Sequence, residues 1–204
     1  VKAEKIISMS GIDEVYKRLV SIIYMPERYL LSGTESSSQL DDASLWNDGE
    51  NCIENMQKLD LLTYLPDDLL VKVDRAAMAV SLETRVPFLD HEIVEFVMSL
   101  PLNFKLKNGQ GKYLLRKVIY KHVPKEILER PKMGFTVPLG EWLRGPLEDW
   151  AQELIEPNRL KQEGYFDSDS VMKMWNEHSN GRANWGHQLF NIFIFQNWLL
   201  NYSS

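Results

Sequence analysis

Residues 64–90 read YLPDDLLVKVDRAAMAVSLETRVPFLD, and the fold turns on this stretch. Leu69, Leu70, Val73, Ala76, Ala77, Val80 and Leu82 fall near helical spacing, while Lys72, Asp74, Arg75, Glu83 and Arg85 crowd into the same short run. Charges withdrawn from water are costly unless paired, so these are either networked or used for binding. Pro66 suits a first helical turn and Asp67 and Asp68 suit the positive end of a helix dipole. The pattern predicts a helix from Pro66 to about Val80.

Downstream, Asp90 is the predicted cap of a second helix with Ile93, Phe96, Val97 and Leu100 as its inner face, ended by Pro101. Lys107-Asn-Gly-Gln-Gly111 reads as a turn. A third helix follows with Tyr113, Leu114, Val118 and Ile119 inward and Lys117, Lys121 and His122 in its last turn, and Pro124 breaks it. A short helix is expected over 125–129. Residues 130–140 hold two prolines and two glycines, which predicts an ordered loop.

Upstream, Ser10-Gly-Ile-Asp13 has the form of a helix start, and Ile12, Val15, Tyr16, Leu19, Val20 and Ile23 predict a helix over about 11–25. Residues 32–51 are polar and predict a surface loop. Three more helices are expected at about 147–155, 168–178 after the cap Asp167, and 185–201. No strand signal, internal repeat or heptad run stands out. The expected class is mainly α, with residues 1–204 as a single helical unit.

A chain of 204 residues that is 44% hydrophobic can bury one sizeable core. The net charge of −6 argues against a nucleic-acid partner. Cys52 is the one cysteine, so no intramolecular disulfide forms, and a cytoplasmic setting is expected. The most apolar run, 189–200, is too short to span a bilayer and reads as a buried helix, so no membrane association is expected.

Lys132 sits between Pro131 and Gly134 in the 130–140 loop, where a side chain can be aimed at a ligand. Lys72 and Arg75, three apart, share a helix face that suits phosphates, while the plainer reading pairs them with Asp67, Asp68 or Glu83. Asp74 points elsewhere on that helix. Glu83 and Arg85 are expected as a buried ion pair, and Arg85 and Asp90 as supports of the turn between two helices. Lys112 and Arg116 make a further basic face, read as solvated. His91, His122, His178 and His187 have no ligand spacing with Cys52 or one another, so no metal site is expected. The tryptophans read as core or subunit-contact residues.

Three blocks carry a resemblance: LPDDLLVKVDRAAMAVSLETRVPFLDHEIVEF at 65–96, GQGKYLLRKVIYKHVP at 109–124 and ERPKMGFTVPL at 129–139. In this order they resemble the C-terminal half of the synthetase domain of glutamine-dependent asparagine synthetases, from about Asp60 onward. The resemblance implies the helical C-terminal portion of an adenine-nucleotide α-hydrolase-like (PP-loop) synthetase domain, without its parallel sheet. It implies that Lys132 contacts nucleotide phosphates on a loop that Gly134 allows to approach closely, and that Lys72 occupies a basic position of the active site.

The family's SGGxDS pyrophosphate loop and its N-terminal cysteine nucleophile do not occur here. The expectation is therefore a C-terminal piece of a longer enzyme, lacking the glutaminase domain and the ATP-loop region and inactive alone. The parent would use ATP and Mg to adenylate aspartate, take ammonia from glutamine, and release asparagine. No tightly bound cofactor is expected on the piece itself, and an uncovered apolar patch would allow a homodimer. The competing readings are an amidotransferase acting on another carboxylate, in surface polysaccharide or secondary-metabolite synthesis, and a non-catalytic helical binding module.

Overall fold

The computed structural model describes residues 11–46, 51–130 and 137–202. In chain order its helices are α1 (Ile12–Val20), α2 (Cys52–Leu62), α3 (Val71–Met78), α4 (His91–Ser99), α5 (Leu102–Lys105), α6 (Tyr113–Ile119), α7 (Lys125–Leu128), α8 (Leu139–Leu143), α9 (Glu148–Leu154), α10 (Pro157–Glu163), α11 (Ser168–Ser179) and α12 (Gly186–Tyr202). Strands β1 (Leu106–Lys107) and β2 (Gln110–Gly111) form the one sheet among the described residues. The fold is mainly α, as expected. It divides into two compact units, residues 1–38 with 135–204, and residues 39–134.

The first unit is built on α12. Leu189, Ile192, Phe193, Gln196 and Leu199 are buried at helical spacing, as a stripe of period 3.6 requires. They meet Leu143, Ala151, Leu154, Leu160, Val171, Met174 and Trp175 from the four helices before it. Trp150 and Trp175 stand edge-on to the Phe193 ring at 5.8 and 5.9 Å, the favourable aromatic arrangement. By contrast Trp142 and Trp198 are largely exposed. Gly186 lets the start of α12 touch α8, since a Cβ there would lie 3.0 Å from the Gly140 Cα. The buried Gln196 amide donates to the Leu154 carbonyl at 3.2 Å and to Glu163, itself paired with Arg159 at 2.7 Å.

Local signals set the ends of these helices. Asp167 caps α11 by accepting from the Ser170 N–H at 2.9 Å, as expected. The sequence pattern missed α10, although Glu156 accepts from two amides at its start, Pro157 takes its first position and Gly164 ends it at φ 74°. It also missed α8, whose first two residues fall in the expected 130–140 loop. The predicted 11–25 helix stops at Val20, because Ser21 turns extended and its hydroxyl bonds the Lys17 carbonyl at 2.6 Å. Residues 29–31 then run beside 165–167, with Leu31 donating to Tyr165 and Asp167 to Tyr29.

In the second unit α2 runs nearly unbroken into α3 through a widened π-type stretch, Leu65–Leu70. Pro66 lies within that run, where it cannot donate a backbone bond, and a wider turn accommodates the gap. The polar composition ahead of Asn51 hid α2, which Asn51 caps through the Ile53 N–H at 3.0 Å. Asn108 and Gly109 have φ of 52° and 75°, the left-handed pair of a tight hairpin turn, so the predicted turn also carries two short strands that were not expected. Past the hairpin, Glu129 accepts from Arg116 at 2.6 Å and from the Tyr120 hydroxyl, while the Arg116 Nε donates to the Gly111 carbonyl at 3.1 Å. The expectation that Arg116 is merely solvated is thereby corrected.

Burial is sparse in this unit: among its described residues only Asn55 and Leu59 are buried. The expected inner face of α4 is open, with Ile93, Phe96 and Val97 exposed, and Val80, Leu82 and Phe88 are exposed as well. Helical spacing was read correctly, but no described residue of the unit covers the stripe.

Phe193→Ala should cost about 3–5 kcal/mol in urea unfolding followed by tryptophan fluorescence, against no more than about 1 kcal/mol for Ile194→Ala on the open side of α12. Gly186→Ala should cost about 1–3 kcal/mol, because backbone must yield. Tyr120, then Arg116, hold the Glu129 carboxyl below its ordinary 4.5. Its contribution is therefore present above that value and lost as pH falls through the folded value. Amide exchange across 113–130 should accelerate in Glu129→Gln at pH 7, and the acid-dependent part of the wild-type exchange should vanish.

Candidate active site

The exposed cationic side chains of α3 and the turn that follows it define the candidate site. Lys72 and Arg75 lie one turn apart on α3, hence on one face. Lys72 pairs with Asp68 one turn earlier, at 3.1 Å, with both groups largely in water. The pairing reading thus holds for Lys72, but an exposed pair of this kind is worth little and yields readily to a polyanion. Arg75 is exposed on the same face.

The Arg85 guanidinium meets the Glu83 carboxylate at 2.5 Å, with the two side chains 80% and 72% exposed. The expected ion pair exists, but it is not buried: the strand-like passage 82–86 runs over the surface. Arg85 also donates to the Thr84 carbonyl at 3.2 Å. Asp90 caps α4, accepting from the Glu92 N–H at 2.9 Å, and so supports the turn as expected.

Asp74, Arg85 and Asp90 line one open groove of about 730 Å³ with Pro66, Leu70 and Thr84. Asp74 was expected to point away from Lys72 and Arg75, and the groove it lines with Arg85 and Asp90 includes neither of them. The groove combines apolar walls with two carboxylates, a guanidinium and a hydroxyl. That mixture suits a polar small molecule held by few directed contacts. Lys132 and Gly134 lie outside the described residues.

Two further contacts involve residues before and after 131–136 in the sequence, one in each unit. Upstream, Glu129 is clamped by Arg116 and Tyr120. Downstream, the Gly140 carbonyl lies 3.1 Å from Nε2 of His178, which is fully buried. Sequence reasoning passed over both, since it tested His178 only as a metal ligand. The spacing of Arg116 and Tyr120 along one helix face was a usable signal, but the partnership with Glu129 needed the fold. Among the described residues no group of three His, Cys, Asp or Glu converges as a metal site would. Nor, among them, is any helix long and apolar enough to cross a membrane.

The family model described as asparagine synthase matches residues 12–200. A glutamine-hydrolyzing asparagine synthetase 1 of Bacillus subtilis (strain 168) is 35% identical over 165 residues, covering 81% of this chain and 24% of that protein. A relative from Mycobacterium tuberculosis (strain ATCC 25618 / H37Rv) is 40% identical over 152 residues, 74% of this chain and 23% of its own. The glutamine-hydrolyzing asparagine synthetase of Mus musculus is 28% identical over 214 residues, 89% of this chain and 37% of that protein. The chain thus spans about a quarter to two fifths of these relatives. No solved structure matches. With nearly its whole length matched, this chain belongs to the asparagine synthase family.

Proposed function

We propose that the chain is the helical C-terminal part of the synthetase domain of a longer, glutamine-hydrolysing asparagine synthetase, and that its share of the work is one wall of the ATP and aspartate site. The observation that carries this reading is the family match over 12–200 together with relatives of that name. The open groove beside Asp74, Arg85 and Asp90 is compatible with it. On this reading the exposed apolar stripe of α3 and α4 is covered by the remainder of the synthetase domain, because a stripe of that size is rarely left in water.

The chemistry proceeds in two displacements. A side-chain carboxylate oxygen of aspartate attacks the α-phosphorus of ATP, forming the acyl–phosphate bond and expelling pyrophosphate. Ammonia, released from glutamine elsewhere in the protein, then attacks the acyl carbon. The carbon–oxygen bond to AMP breaks, a proton leaves the nitrogen, and asparagine and AMP result. Negative charge accumulates on the pyrophosphate in the first step, so a cation aimed there lowers the barrier. Lys132 takes that role, with Gly134 permitting close approach of its loop. Lys72 and Arg75 supply the standing positive face that draws the nucleotide, while Glu83, Arg85 and Asp90 hold the turn beside it. Magnesium would accompany ATP as its counter-ion.

The test uses the full-length protein with MgATP, aspartate and ammonia, comparing wild type with Lys132→Ala. Asparagine and pyrophosphate should form in equal amounts, and the variant should lose about a hundredfold or more in rate, the scale of removing one charge-stabilising donor. Nucleotide turnover without asparagine from a folded wild type would transfer the reaction to another carboxylate. No nucleotide binding at all would leave the helical binding module.

A further inference from the structure

We infer that His178, as a neutral imidazole protonated on Nε2, is a positioning residue that holds α8 in place and releases it on acidification. The activity part of this inference rests on the proposed role of Lys132, since α8 begins three residues after the 131–136 segment. The geometry does not.

The side chain is fully buried between three pieces of chain. Nε2 lies 3.1 Å from the Gly140 carbonyl on α8, and Nδ1 lies 3.1 Å from the Trp185 N–H just ahead of α12. A carbonyl can only accept and an amide N–H can only donate, so Nε2 must carry the proton and Nδ1 must offer its lone pair. One tautomer alone satisfies both neighbours. The Arg144 guanidinium, directly after α8, packs against the ring and favours neither nitrogen. Its Nη1 stands 3.3 and 3.4 Å from the two ring nitrogens and donates to the His178 carbonyl at 3.1 Å.

A second proton would go on Nδ1, facing the Trp185 N–H and the Arg144 cation with no acceptor. Glu177, beside His178 on the same helix, directs its Oε2 to the Trp185 indole N–H at 2.8 Å. The other charged groups of the elements that meet here, Glu141, Asp169, Lys173, Arg182 and His187, are exposed. Burial, and then the Arg144 charge, accordingly push the histidine below its ordinary 6.5.

The sign follows from linkage. Above pH 6.5 the imidazole is neutral whether the latch is closed or open, and the hold is complete. Below 6.5 the open form takes up a proton that the closed form refuses. The hold then weakens as pH falls, by about tenfold per pH unit until the closed form is itself protonated.

Hydrogen exchange on the full-length protein, followed over 139–145 and 180–189 between pH 8 and 5 and corrected for intrinsic exchange rates, tests the latch without any variant. Opening of both segments should rise together below pH 6.5. Protection that stays level across this range would overturn the inference. His178→Asn keeps an acceptor near the Nδ1 position but lacks the Gly140 donor and cannot titrate, and His178→Gln places an amide near Nε2. Both should open more at pH 8 and lose the pH dependence, and variants that retain the wild-type pH dependence would also overturn it. In the asparagine assay the acid limb of kcat should be shallower in either variant than in wild type, and an unchanged limb would overturn the positioning role. Should wild type make no asparagine at any pH, the proposed function fails, while the exchange data still decide the latch.

Discussion

Burial of the inward stripe of α12 is the constraint on which the first unit depends. Phe193 is gripped edge-on by two tryptophans, and Leu189 and Ile192 close against the preceding helices. A flat aromatic ring held on two sides leaves the helix one rotation about its axis. That rotation places Gln196 where its amide meets the Leu154 carbonyl and Glu163, and places Gly186 against Gly140. The polar contacts follow from the apolar ones, because each buried polar group accepts a position the core has already chosen and then must be satisfied there.

The second unit lacks such a core. Its helices are specified locally: Asn51 and Asp90 cap two of them, Asn108 and Gly109 turn the hairpin, and Arg116 with Tyr120 and Glu129 ties the helix after the hairpin to the next. These interactions depend on a few neighbouring residues, so they form without a large buried interior. The same feature leaves the cationic face of α3 and the groove beside Asp74 open, which an enclosed core would not permit.

Legibility in the sequence followed the range of the interaction. Caps at Asp90 and Asp167 and the stripe of α12 were readable because each is set within a few residues. Glu83 and Arg85 were readable as partners but not as exposed ones, since burial depends on what packs above them. The π-type stretch at 65–70 was masked by a proline that also suits a helix start, and α2 by polar residues before its cap. Helical spacing separated Asp74 from the Lys72 and Arg75 face of α3, but it could not show that residues 84–90 return beside Asp74.

The least legible features are two hydrogen-bonded contacts, one in each unit. Upstream, a carboxylate is held by an arginine and a phenol; downstream, a buried imidazole holds a backbone carbonyl. Both anchors grip through hydrogen bonds to ionisable groups, and neither relies on apolar packing alone. A hydrophobic anchor would hold equally at every pH. The Glu129 contact weakens as its carboxylate is protonated, and the His178 contact weakens separately as its imidazole is protonated. The histidine is the weaker limit because its ordinary value lies nearer to neutrality, and the Arg144 cation ensures that protonation is answered by opening and not by a new ion pair.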